Sequence, residues 1–216
     1  MRLKNEWKIM GSSPVLISLG MAALLSLLAV AGGDLLDVSK LGFEVLFPFF
    51  AAIAVGEWGK TRTDMNFELI AAQGRSLFTW VVFRYIAVFS TVGMAAVLGM
   101  AVASGVRNEM PLGDMLLMCF APTMFLSTLG LLIGLTSAQE HRAVLVCGIV
   151  WLISMLVRSV LRVPGVEYIY LFICYSGDVH GVWRLNKAVL LGITGVLWCG
   201  IYLVCKMRCK RPNRSK

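Results

Sequence analysis

The sequence predicts an all-α integral membrane protein of six transmembrane helices, with both ends on the cytoplasmic side. Three observations predict it. Of the 216 residues, 58% are hydrophobic and 15% charged, against about 45–50% apolar and about 25% charged in soluble domains. The apolar residues gather into blocks approaching the ~20 residues a helix needs to cross the hydrocarbon core. The basic residues fall unevenly between the loops those blocks define. Short alternating segments, the mark of a transmembrane barrel, are not the pattern.

In chain order, residues 1–13 read as an interfacial helix, because Leu3, Trp7 and Met10 share one face while Arg2, Lys4, Asn5, Glu6 and Lys8 point elsewhere. Pro14 turns the chain into the first span. The spans are predicted at Val15 to Gly32, Leu41 to Gly56, Leu77 to Ser104, Met115 to Thr136, Ala143 to Leu161 and Ala188 to Cys205. The first is too long for the apolar core of a cleaved signal peptide, and further spans follow it. A seventh apolar piece, Val166 to Tyr175, is announced by Pro164 and Gly165. It has about half the length needed to span, so it is expected as a short outer re-entrant or interfacial element between spans five and six. The whole of 1–216 is thus one membrane domain, ending in a basic tail, 206–216.

Numbering the spans from an inside N-terminus leaves 14 of the 20 basic residues inside, and six outside: Lys40, Arg107, Arg158, Arg162, Arg184 and Lys187. The excess satisfies the positive-inside rule. The net charge of +8 is therefore a topology signal first, and no nucleic-acid partner is needed to explain it. The tail residues Lys206, Arg208, Lys210, Arg211, Arg214 and Lys216 have no acid among them, which suits membrane lipid headgroups at roughly 1 kcal/mol per residue.

The inner loop 57–76 is much longer than a helix–helix turn requires. Thr61 followed by Asp64 resembles a capping box, and Gly74 supplies a stop, so Thr63 to Gln73 is expected to be helical. Met65, Leu69 and Ala72 share one face while Phe67 and Ile70 lie on others. Apolar groups on several sides of so short a helix point to a protein partner. Ala54, Gly59, Lys60 and Thr61 also fit a relaxed phosphate-loop pattern. A phosphate loop joins a buried strand to a helix, whereas here a membrane span precedes it, so no nucleotide site is expected.

Catalytic constellations are not found in the sequence. His141 and His180 fall on opposite sides of the predicted membrane, and there is no HExxH and no serine in a nucleophile elbow. The six cysteines have no CxxC spacing, so neither a disulfide framework nor a metal site is expected. Small residues at four-residue spacing, Ala95 and Gly99, Gly130 and Gly134, Gly195 and Cys199, predict close helix packing. Glu44, Arg84, Arg158 and Arg162 are expected towards span ends, where long side chains snorkel, and none has an evident partner in sequence.

The order of these features resembles the permease subunits of ABC transporters of the ABC-2 type. In that family the loop after the second span carries a coupling helix, with an acid at the membrane exit and a later stretch like Gly-Thr-Leu-Glu-Leu-Leu before a proline. Glu57 matches the acid, and Asn66, Phe67, Glu68, Leu69, Ile70, Ala71 and Ala72 match the stretch. Gly74 stands near the family's proline, and the spacing between the two acids is a few residues long. The resemblance implies that Glu57, Asp64, Met65, Phe67, Glu68, Leu69, Ile70 and Gln73 meet a partner ATPase, and that Pro164, Gly165, Tyr168 and Tyr170 belong to an outer gate. It implies a half-transporter in a bacterial plasma membrane: two permease subunits, identical or related, served by two copies of a soluble ATPase. This chain would then bind no cofactor, ATP and Mg²⁺ sitting on the partner, and would not be an enzyme itself. Without a large outer domain, export of a small lipophilic, lipid-like or peptide substrate is the expected activity. The alternatives are a membrane enzyme of lipid or peptide processing, and an accessory or immunity protein without a transport cycle.

The topology is checked by cysteine labelling in a variant with the native cysteines replaced. Probes at Asp64→Cys and Asn213→Cys should be shielded from an impermeant reagent in intact cells, and one at Asn108→Cys should react. The opposite pattern would overturn the assignment of every loop.

Overall fold

The structure, a computed structural model, describes residues 13–58, 77–106, 111–137, 141–156, 165–173 and 182–209. The described residues form six α-helices and one short 3₁₀ turn: α1 (Ser13–Ala31), α2 (Asp34–Trp58), α3 (Leu77–Val106), α4 (Leu112–Thr136), α5 (Arg142–Leu156), the turn Val166–Tyr168, and α6 (Trp183–Cys209). Four stretches are long and apolar enough to cross a membrane: Asp34–Gly56, Leu77–Gly105, Leu112–Thr136 and Trp183–Met207. The apolar parts of α1 and α5, Val15–Ala31 and Arg142–Leu156, are shorter.

Helices α1, α3 and α4 begin and end within a turn of where hydropathy puts them. Helix α2 does not, because it starts at Asp34 rather than Leu41. Its polar opening belongs to the helix, since Asp34 and Asp37 occupy the first turn, where acids complement the positive end of the helix dipole. Lys40 Nζ lies 3.5 Å from Asp37 Oδ1, an i,i+3 pair that the helix itself creates. What remains between α1 and α2 is Gly32 and Gly33, at φ 74° and 59°, a left-handed turn that glycine makes without the Cβ clash. Helix α6 likewise starts early, at Trp183 rather than Ala188, and so takes in Arg184, Asn186 and Lys187.

Helices α2 and α4 form the centre of the packing: α2 touches α1, α3, α4 and α5, and α4 touches α2, α3, α5 and α6. Apolar residues surround every helix, so a hydrophobic stripe cannot decide which face turns inward. Close approach and interhelical hydrogen bonds decide it instead. A Cβ placed on Gly99 of α3 would come within 3.1 Å of Ala22 in α1 and 3.0 Å of Phe43 in α2. Ser26 Oγ of α1 lies 3.1 Å from the Gly99 carbonyl, Ser39 donates to Leu25 O at 2.7 Å, and the Tyr85 hydroxyl of α3 meets Ser127 of α4 at 2.9 Å. Gly130 faces Cys147 and the Ala52 carbonyl. Of the three small-residue pairs named above, Gly195 and Cys199 alone face outward, with open space at Gly195 and an exposed thiol at Cys199.

Two apolar clusters result. The larger joins α1, α2, α3, α4 and α6 through residues such as Leu25, Phe47, Val81, Met100 and Ile201. The smaller gathers Val45, Ala52, Leu126 and Cys147 around Tyr170, Leu171, Phe172 and Ile173. Residues 170–173 are therefore core, while Gly165 and Ile169 are exposed.

Gly99→Val should destabilise the bundle by about 1–3 kcal/mol through overpacking, read as a lower thermal unfolding midpoint in detergent. Gly192→Ala, where nothing lies within 4 Å of the new Cβ, should leave the midpoint unchanged.

Candidate functional site

The only side chains of opposite charge that are both 0% exposed among the described residues are Glu44 and Lys187, with Lys187 Nζ 2.8 Å from Glu44 Oε1. Glu44 lies within α2, between Phe43 and Val45, and Lys187 lies one turn into α6. Hydropathy puts Glu44 at a span end with no partner and Lys187 in an outer loop; the structure brings the two together. The pair is 143 residues apart in sequence, which is why no local pattern announces it. Ionisable residues of opposite sign inside separate apolar runs are the one signal that could have found it.

Burying two charges costs several kcal/mol per ion unless further hydrogen bonds satisfy them. Here Lys187 Nζ also donates to the Leu171 carbonyl at 2.9 Å. The adjacent Asn186, 0% exposed, donates through Nδ2 to the carbonyls of Glu167 and Tyr170, both at 2.8 Å. Its Oδ1 has no hydrogen-bond partner among the described residues. A void of about 10 Å³ adjoins Glu44, lined by Lys40, Phe43, Met115 and Met118, the lower limit for one water molecule.

The segment 165–173 opens at Gly165, φ 91°, followed by the 3₁₀ turn Val166–Tyr168. The Tyr170 side chain is buried and its hydroxyl donates to the Ser154 carbonyl of α5. Phe172 is fully buried, while Tyr168 is half-buried. Trp151 of α5 stacks on Phe49 at 4.7 Å and donates its indole N–H to Val45 O at 2.8 Å, fixing α5 to α2 beside the segment. Of the residues expected at an outer gate, Gly165, Tyr168 and Tyr170 share this segment, and Pro164 lies outside the described residues.

The loop residues expected to meet a partner are Glu57, Asp64, Met65, Phe67, Glu68, Leu69, Ile70 and Gln73. Glu57 is in the last turn of α2; the others lie outside the described residues, as do the helix expected at Thr63 to Gln73, the interfacial segment before Ser13 and the tail beyond Cys209. The start of the phosphate-loop pattern, Ala54 to Trp58, is helical, and Ala54 is buried. Arg84 stacks over Trp80 at 4.2 Å. Among the described residues no three His, Cys, Asp or Glu side chains come together. An open apolar groove of about 370 Å³ runs between α3 and α4, lined by Phe89, Gly93, Met94, Val97, Leu98 and Phe120. Its one polar neighbour, Ser90, donates to its own helix at Ile86 O.

The polar centre can fix geometry. It neutralises two charges and supplies the side-chain donors that an irregular, buried backbone needs. Compared with known proteins, the chain matches no family model, no curated protein and no solved structure.

Lys187→Met alone should cost about 3–5 kcal/mol, because it removes the ammonium 2.8 Å from Glu44 Oε1 in a fully buried pair. Glu44→Leu combined with Lys187→Met should recover most of that loss in thermal unfolding. Equal destabilisation by the single and double variants would show that the carboxylate is not the cause.

Proposed function

We propose that the chain is the membrane-spanning permease subunit of an ABC-2 type ABC transporter, exporting a small lipophilic, lipid-like or peptide substrate. The transport cycle is driven by a separate soluble ATPase, two copies of which serve two permease subunits. The observation that carries this reading is the order of elements along the chain. In sequence, residues 59–76, with Met65, Phe67, Leu69 and Ile70 among them, separate the second helix from the third, and a short segment whose residues 170–173 are buried precedes the last. In this reading all six helices span, with both ends inside.

The lengths are compatible with it. Helix α1, at 19 residues, reaches about 28 Å at ~1.5 Å per residue, close to the ~30 Å hydrocarbon core. The 15 described residues of α5 reach about 22 Å, and the predicted span continues to Leu161. The helical state of Ala54 to Trp58 supports a chain without its own phosphate loop, so ATP and Mg²⁺ would be held by the partner.

Residues 63–73 would then act as the coupling helix, with Phe67 and Leu69 as anchors in a groove of the ATPase and Glu68 at the rim. Phe67→Ala should cost on the order of 2 kcal/mol of partner binding, read as lost recovery of the ATPase in a pull-down. Leu69→Asp should do the same, while the yield of monodisperse protein in detergent stays unchanged. Collapsed yield would mean that this segment packs on its own membrane domain. Unchanged recovery would remove the loop as the docking site.

A further inference from the structure

We infer that residues 165–173 form a plug that Asn186 and Lys187 latch shut, and that the Glu44–Lys187 ion pair makes the latch respond to the position of α2. Its use as a gate rests on the permease reading; the latch itself is a property of this chain alone.

Irregular backbone inside an apolar bundle persists only where its carbonyls find donors. The carbonyls of Glu167, Tyr170 and Leu171 are served by two consecutive side chains of α6, Asn186 and Lys187. One ammonium then does two jobs, since Lys187 Nζ holds Leu171 O at 2.9 Å and Glu44 Oε1 at 2.8 Å. Helices α2 and α6 otherwise share almost no contact, and both lie on α4. A displacement of α2 relative to α6 must therefore stretch the Glu44–Lys187 bond, and the ammonium that moves with Glu44 leaves the Leu171 carbonyl without its donor.

The neighbourhood is built for such a displacement. Pro48 sits inside α2 one turn after Glu44 and has no N–H to give the Glu44 carbonyl, so the helix is weakest at the latch. Pro122 does the same inside α4. Gly165, at φ 91°, begins the plug in a conformation that glycine adopts freely. Among the described residues Asn186 Oδ1 has no partner, and a void lies beside Glu44. Both features lower the cost of an alternative arrangement. What the latch holds in place is Phe172 and its buried neighbours Leu171 and Ile173, packed among Val45, Leu126, Cys147 and Trp151.

Hydrogen–deuterium exchange of the full-length chain in detergent, followed on peptides covering 165–173, tests this. Two variants remove donors without stranding a charge: Glu44→Leu with Lys187→Met, and Asn186→Leu. Each should raise exchange in 165–173 at least tenfold while α1, α3 and α4 keep wild-type protection. Unchanged exchange in the segment would overturn the latch, and so would an equal rise throughout the helices, which would mark a general packing role. Should the double variant fail to give monodisperse protein, Asn186→Leu decides alone. Because no ATPase is present, the outcome is independent of the pull-down. Raised exchange with no ATPase recovered keeps the latch and removes the permease reading, and the converse removes the latch only.

Discussion

The buried irregular backbone among the described residues is arranged around two charges that cannot reach water. Glu44 and Lys187 are both fully buried, and an unpaired charge in their position would shift or break the packing around it. Their pairing fixes how far α2 and α6 stand apart across α4. It also decides that α6 must begin at Trp183, since only a helix started that early carries Lys187 to Glu44 and Asn186 to the carbonyls of Glu167 and Tyr170. Residues 170–173 can be buried because those donors exist. Their aromatic and aliphatic side chains alone would not compensate for unsatisfied carbonyls.

The rest of the bundle follows a different rule. With lipid as solvent there is little hydrophobic gain in turning one apolar face rather than another inward, so contact is set by fit and by hydroxyl groups. Gly99 against Ala22 and Phe43, and Gly130 against the Ala52 carbonyl, let backbones approach. Ser26, Ser39 and Tyr85 then fasten the approach with bonds to neighbouring helices. The membrane-length stretch of α6 is as apolar as those of the other long helices, yet 22% of it is buried: hydropathy does not report burial here.

Length and apolarity made the helices legible to within a turn where their ends are apolar. They failed at the start of α2, where Asp34, Asp37 and Lys40 resemble a loop by composition but are stabilised by the helix dipole and by each other. They failed again at α6, where Arg184, Asn186 and Lys187 look like the solvated lead-in to a span. Arg184 does face outward, with its guanidinium 3.1 Å from Asp114 of α4; Asn186 and Lys187, two and three residues further on, turn in. The broken segment after Pro164 was legible from its length and its Pro-Gly start. That Tyr170 to Ile173 would be core was not, because burial of irregular backbone depends on donors supplied from elsewhere in the chain.

A buried ion pair is a poor device for stability alone. Apolar residues of similar volume often serve as well or better, because they avoid the desolvation cost that mutual attraction only partly returns. What apolar residues cannot do is hold a carbonyl and a carboxylate at once. Lys187 does both, from a flexible stem that keeps its head fixed while α2 and the 165–173 segment approach from different directions. The value of the charge is thus directional: it ties α2, α6 and the 165–173 segment together through one ammonium. Pro48 weakens α2 one turn after Glu44, so the helix is least rigid where that tie is attached. A fold needing only strength would have omitted both the proline and the charge. Their joint presence argues that relative movement of α2 and α6 is what this centre is arranged to control.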